Sequence, residues 1–192
     1  MQTGFLTSEW LAFAIPFMEL FPKYVCVRPN GEQFDCTQDD FCDNPSIKHY
    51  VNWNDRASIH NWVEDLDLTC TSRFKIGLIG SALFAGWAIS AAFLPRLADV
   101  YGRKPVYGWS MIAHCLVYAA IVLSRSLTLT TSLMFFLGVA TAVRASVGFL
   151  YMTELAPKAQ QTAVGTILLV IVSVQGVLVT VYFYFVNQWI WL

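Results

Sequence analysis

Four long apolar runs, almost free of charge, occupy the chain after its middle polar stretch. Ile76–Leu97 carries one charge, Arg96, at its end. Val106–Leu123 has His114, Cys115 and two tyrosines as its only ionisable groups. Leu129–Tyr151 is interrupted by Arg144, and Val164–Val186 has no charged residue. A helix needs roughly 20 mostly apolar residues to cross a hydrocarbon core of about 30 Å, so each run predicts a spanning helix. A fifth run, Phe5–Phe21, is shorter and holds Glu9 and Glu19. It reads as a spanning helix short of its first turns. A cleaved signal peptide fits less well, because no basic residues follow Met1 and no small-residue cleavage site is evident. The pattern predicts an all-α, polytopic membrane protein of about five helices, placed at residues 1–22, 76–97, 106–123, 129–152 and 164–186.

Composition strengthens this picture. Apolar residues make up 56% of the 192 and charged residues 13%, with a net charge of −1 and a mean hydropathy of +0.52. Soluble domains carry about 25% charged residues, so the expected surroundings are a lipid bilayer. The charge balance gives no reason to expect nucleic-acid binding.

The polar stretch, residues 23–75, holds most of the charge and four of the five cysteines: Cys26, Cys36, Cys42 and Cys70. An even number in a small, core-poor segment points to two disulfides in an oxidising compartment, with three pairings open. Zinc ligation is the competing chemistry, but the spacings are irregular and contain no CxxC pair, so no metal is expected. Trp53, Trp62 and the acidic Glu64–Asp67 cluster suggest an amphipathic cap at the membrane surface. Asn44 is followed by Pro45, which removes the one sequon-like site. The short links 98–105 and 153–163 bring Arg103, Lys104 and Lys158, with Arg96 just before the first. By the positive-inside rule these links face the cytoplasm and the cysteine loop lies on the opposite side.

The first of these links reads Pro95-Arg96-Leu97-Ala98-Asp99-Val100-Tyr101-Gly102-Arg103-Lys104. Gly102 permits a tight turn between helices, and Asp99 at a helix end is placed to pair with a nearby arginine. This segment resembles the cytoplasmic loop motif of the major facilitator superfamily, G-x-L-a-D-r-x-G-R-R/K. Leu97, Ala98, Asp99, Gly102, Arg103 and Lys104 match, while Pro95 and Val100 depart from it. Arg144 to Gly148 is similar to the family's R-x-x-x-G pattern on the fourth helix. Tyr151, Glu154 and Pro157 resemble the Y-x-x-E-x-x-P segment of sugar porters and organic-ion transporters, although Ala159-Gln160-Gln161 replaces the Arg-Gly that often follows. The cysteine loop after the first helix resembles that of the organic cation/anion branch.

The resemblance implies transport of a small organic solute, an organic ion or a sugar-like molecule, by alternating access. It implies a gating charge network of Asp99, Gly102, Arg103, Lys104 and Glu154 at the cytoplasmic helix ends. Arg144, costly at a bilayer centre, becomes a pathway candidate, with Glu19 and Glu9 as its candidate partners. The family's bundle normally has twelve helices, so the five here imply a missing second half or partner membrane subunits. A transporter-derived subunit with a structural role in a larger membrane complex is the alternative. Gly77, Ser81 and Ala85 form a small-residue face suited to close helix contact, and Gly86 and Ser90 form another. Trp87, Trp109, Trp189 and Trp191 suit interfacial belts or packing, and His114 suits a buried, hydrogen-bonded position. No nucleophile elbow, phosphate loop, HExxH or redox CxxC is present, so neither an enzyme nor a cofactor is expected.

Overall fold

The computed structural model describes residues 9–28, 31–44, 46–186 and 188–189. The start of the first predicted span, Pro45 and Trp191 lie outside the described residues. In chain order the elements are α1 (Trp10–Met18), β1 (Tyr24–Val27), β2 (Gln33–Cys36), α2 (Gln38–Cys42), β3 (Lys48–Val51), α3 (Trp62–Asp65), α4 (Arg73–Tyr101), α5 (Arg103–Leu123), α6 (Leu127–Leu155), a 3-10 turn (Lys158–Gln160) and α7 (Gln161–Phe185).

Among the described residues, four helices are long and apolar enough to cross a membrane: α4, α5, α6 and α7 with its preceding turn. The 29 residues of α4 and of α6 extend about 43 Å at 1.5 Å per residue, so both overreach the apolar runs that predicted them. Large apolar side chains such as Phe84, Phe93, Leu116 and Val177 stand exposed on this bundle, a surface that suits hydrocarbon and not water. The chain is thus a multi-pass membrane protein.

α6 is the central helix. In its most apolar stretch 56% of residues are buried, against 28%, 22% and 17% for α4, α5 and α7. It runs parallel to α4. Lys75 and Ala82 line one groove with Leu127 and Phe135, and further along Gly86 meets Gly138. A Cβ on Gly86 would overlap the Phe135 carbonyl oxygen and sit 3.2 Å from the Val139 nitrogen. A Cβ on Gly138 would overlap the Leu83 carbonyl oxygen and sit 3.1 Å from the Trp87 nitrogen. The two backbones are in direct contact there, with Ile76, Ile79, Leu83, Gly86 and Ser90 of α4 turned inward. The Gly77–Ser81–Ala85 face, expected to give close contact, is instead exposed, and nothing lies within 4 Å of a Cβ at Gly77. Both faces have small residues. Only the second is flanked by apolar residues at the helical spacing that packs against α6.

The all-α expectation holds for the bundle and fails for the cysteine loop, where β1 pairs antiparallel with both β2 and β3 in the order β2-β1-β3. Tyr-Val-Cys-Val and Gln-Phe-Asp-Cys alternate inward and outward residues, the period of a half-buried strand. Gly31, at φ +84°, supplies the positive φ of the connecting turn, where its amide donates to the Arg28 carbonyl at 2.9 Å. The Asn30-Gly31 pair was the available hairpin signal. Tyr24, Cys26 and Phe41 form the lobe's own core. Of the three possible pairings, the cysteines adopt Cys26–Cys36 and Cys42–Cys70, with Cα separations of 5.8 and 5.5 Å.

The rest of the loop packs down on the bundle. Ile59, Trp62, Val63 and Leu68 share one core with residues of α1, α4, α5, α6 and α7. Asn61 is 1% exposed. Its Nδ2 donates to the carbonyls of Phe17 (2.8 Å) and Leu20 (2.7 Å), and its Oδ1 accepts from the Val63 amide at 3.1 Å. It thereby adds donors to carbonyls at and just beyond the end of α1.

Gly86→Ala and Gly138→Ala are each expected to lower stability by about 3 kcal/mol, because backbone and not a mobile side chain blocks the added methyl. Gly77→Ala is expected to change stability by less than about 0.5 kcal/mol. Thermal unfolding of the three variants in one detergent checks this, and equal midpoints would disprove the crossing.

Asp40 gives a pH dependence outside the membrane. Its Oδ2 accepts from the Thr37 amide at 2.8 Å and from the Thr37 hydroxyl at 3.0 Å, and these bonds hold its pKa below the ordinary 3.8. A carboxylate with a lowered folded pKa stabilises above its unfolded value and loses that contribution as pH falls through the folded one. The stability difference between wild type and Asp40→Asn is therefore expected at neutral pH and should shrink as pH drops below about 4. Lobe unfolding followed at stepped pH measures it.

Candidate functional site

The turn from α4 to α5 is the first place where predicted residues converge. Gly102 takes φ +92°, which ends one helix and starts the next with no intervening loop. This places Asp99 and Arg103 one turn apart across the junction. Arg103 Nη2 lies 3.3 Å from Asp99 Oδ1, and its Nη1 lies 2.7 Å from Glu154 Oε1 on α6. One guanidinium therefore bridges α4, α5 and α6. Ala98 and Tyr107 pack beneath it with Val143 and Val147 of α6, which fixes the helices that carry the charges. Lys104, Pro105 and Tyr151 border the same open depression of about 500 Å³. The Arg103 side chain is 23% exposed and its two carboxylate partners are 55% and 62% exposed. Ion pairs this wet are worth about 1 kcal/mol or less each. They can align helix ends without locking them.

Arg144 lies three turns inward from Leu155 on α6, beside the Tyr107–Val143–Val147 layer beneath this junction, and is 1% exposed. It interacts electrostatically with Tyr107 and Cys115 of α5, and with His114 of the same helix. Tyr107, Ser110 and His114 are buried and recur at helical spacing, so α5 turns a polar stripe toward the Arg144 face of α6. His114 stacks on Tyr118 at 6.3 Å. It is buried, as expected for it, and its Nδ1 has no hydrogen-bond partner among the described residues. The stripe was missed by looking at His114 singly. The i, i+3, i+7 recurrence of Tyr107, Ser110 and His114 was the signal that could have found it.

Glu19 and Glu9 occupy a different interface. Glu19 follows α1, and its Oε1 would lie 3.8 Å from a Cβ on Gly80 of α4. Glu9 begins α1, where its carbonyl accepts from the Phe13 amide at 3.1 Å. Arg144 faces α5, so the structure does not gather the pathway candidates around one point.

At the opposite end Asp65 is a second junction. Its Oδ2 accepts from the Trp189 indole at 2.7 Å, and its Oδ1 lies 3.5 Å from Arg125 Nη1. Trp189, 6% exposed, packs edge-on to Trp62 at 5.8 Å, so it is a core residue and not part of an interfacial belt. Among the described residues no group of three or more His, Cys, Asp and Glu side chains could hold a metal ion.

Arg103→Gln is expected to cost about 1 kcal/mol or less of global stability, since both its partners are hydrated. It should nevertheless raise local amide exchange at the start of α5 and the end of α6. Hydrogen exchange of the purified protein tests this, and unchanged exchange at both ends would show that the bridge does not hold them.

A family model described as Major Facilitator Superfamily matches residues 31–192. No curated protein matches the chain.

Proposed function

The chain belongs to the major facilitator superfamily, and from that premise we propose that it carries a small organic solute across its membrane by alternating access. Membership places it with transport proteins and not with enzymes. In this reading the described helices and the first span form the opening, five-helix part of a facilitator bundle. Its basic links face the cytoplasm, and its cysteine loop faces the extracytoplasmic side of a plasma or organelle membrane. The cysteine loop and the Tyr151–Pro157 segment support an organic ion or sugar-like molecule as cargo. A second half or partner subunits complete the pathway.

The observation that carries this reading is the double ion pair of Arg103. Asp99 and Glu154 sit on two helices and share one cation on a third. A contact of this strength can break and re-form within a transport cycle, because each pair is exposed and worth little alone. Arg144 and the polar stripe of α5 supply the interior groups, since a buried cation within a span marks a pathway or its lining more often than a packing position. Gly102 and Lys104 serve the gate, the first as its hinge and the second as inside charge.

Asp99→Asn and Glu154→Gln in the native-length protein are expected to cut solute flux about tenfold, with surface expression preserved and the open–closed population shifted by roughly 1 kcal/mol. Flux of a panel of organic cations, organic anions and hexoses into proteoliposomes, read beside a cysteine-accessibility probe at the basic end, measures both. Unchanged flux and accessibility in both variants would remove the gate. No flux of any kind, with intact assembly into a larger complex, would favour the scaffold role instead.

A further inference from the structure

The cysteine loop is two bodies with separate cores. The sheet lobe has Tyr24, Cys26 and Phe41 at its centre, while α3 and its flanks belong to the core of the bundle. The strands pair with one another and do not pack extensively on any helix of the bundle. The lobe is joined to the rest at two places. One is its stem, where the Asn52 amide donates to the Lys23 carbonyl at 2.8 Å and the Lys23 amide donates to Ser58 Oγ at 3.2 Å. The other is the strap at Thr69 and Cys70, just ahead of α4. There Gln38 Nε2 donates to the Thr69 carbonyl at 2.8 Å and the Tyr24 hydroxyl lies 3.4 Å from Thr69 Oγ1. Cys42 is bonded to Cys70 at the same point.

The two disulfides differ in what surrounds them. Cys26 is 0% exposed, and its bond to Cys36 lies inside the lobe, across paired strands. Cys70 is exposed and Cys42 half-buried, and both border an open cavity of about 230 Å³ with Gln38, Asp39 and Thr69. Cys36 also borders a depression, but attack on its sulfur would expel the Cys26 thiolate into an apolar core, which is costly. Attack on the Cys70 sulfur expels a half-buried Cys42 thiolate beside solvent.

We propose that Cys42–Cys70 is a redox-sensitive hasp: its reduction releases the sheet lobe from the root of α4 as an intact body, still closed by Cys26–Cys36. A small dithiol is the reductant. Its thiolate attacks the Cys70 sulfur, forming a mixed disulfide and releasing Cys42 as a thiolate that takes a proton from water. The second thiol of the reductant then closes on the mixed disulfide, leaving Cys70 as a thiol and the reductant as a cyclic disulfide. Four hydrogen-bonded contacts, two at Thr69 and two at the stem, remain to hold the lobe, and they are too few to keep it fixed.

The test uses the full chain in lipid nanodiscs, with Cys115 blocked first, titrated with dithiothreitol and read by alkylation mass spectrometry and hydrogen exchange. Cys42 and Cys70 are expected to label about tenfold faster than Cys26 and Cys36. Amides in residues 38–42 and 68–73 should lose protection at the same step, while those of β1 and β2 keep theirs. Labelling of all four cysteines together would overturn the proposal. So would loss of strand protection at the first step, or unchanged protection at the strap once Cys42 and Cys70 are reduced. The Cys42→Ser/Cys70→Ser pair should show the released pattern without reductant. A double variant with the wild-type pattern would also overturn it.

Discussion

The contact of bare backbone on bare backbone at Gly86 and Gly138 sets the spacing of everything else in the bundle. With no Cβ on either helix, α4 and α6 approach until carbonyl oxygens fill the space a methyl would take. Inside a bilayer the hydrophobic effect does not drive helices together, because lipid tails are as apolar as leucine. Close van der Waals contact must do it. Once α4 and α6 are fixed in register, the inward residues of α4 meet Met134 and Leu137 in the same core. The ends of the two helices then arrive together, which is the condition for Arg103 to reach Asp99 and Glu154 at once. A shift of one turn along α6, about 5.4 Å, would carry Glu154 out of reach.

The apolar periodicity showed the bundle clearly because membrane length is a strict physical constraint. It also placed Asp99, Arg103 and Glu154 at helix ends, and the matched motif named them. What it could not show was which small-residue face packs. Gly77, Ser81 and Ala85 have the right spacing, yet they are exposed, and Gly86 with Ser90 is the buried face. Spacing records what a face permits, whereas the partner helix decides which permission is used. The sheet was legible in principle from Tyr24–Val27 and the Asn30-Gly31 pair, but four-residue strands in a cysteine-rich loop give little periodicity to count. The pairing of the cysteines was not legible at all, since three connectivities satisfy the same sequence. Trp189 joining Trp62 and Asp65 is a contact across 124 positions, and nothing local signals it.

The two ends of the bundle are held by different physics. At the basic end the link between α4, α5 and α6 is electrostatic, solvent-exposed and weak. At the cysteine end it is buried and hydrogen-bonded. Asn61 uses both its amide protons and accepts once on Oδ1 at 1% exposure, and breaking one such bond strands a buried polar group at about 1–3 kcal/mol. Around this buried centre, Asp65 ties Trp189, beyond α7, to the exposed Arg125 at the entry to α6, and at the surface Arg56 donates to the Tyr184 hydroxyl of α7 at 3.0 Å.

This asymmetry decides where motion is cheap. A rearrangement that separates helices at the cysteine end must expose Trp62, Leu68 and Phe183 and take the Asn61 amide from the Phe17 and Leu20 carbonyls. One at the basic end has to part the smaller Ala98, Tyr107, Val143 and Val147 cluster and exchange two wet ion pairs for water. In the proposed transport cycle, bundle motion is therefore expected at the Gly102 turn, with the Gly86–Gly138 crossing as fulcrum and the cap as brace. The sheet lobe lies outside this lever, because its core is its own and its attachment is a single strap and stem. The strap and stem share no residue with the Arg103 bridge, so the proposed change of the disulfide at one end of the molecule does not require breaking that bridge at the other.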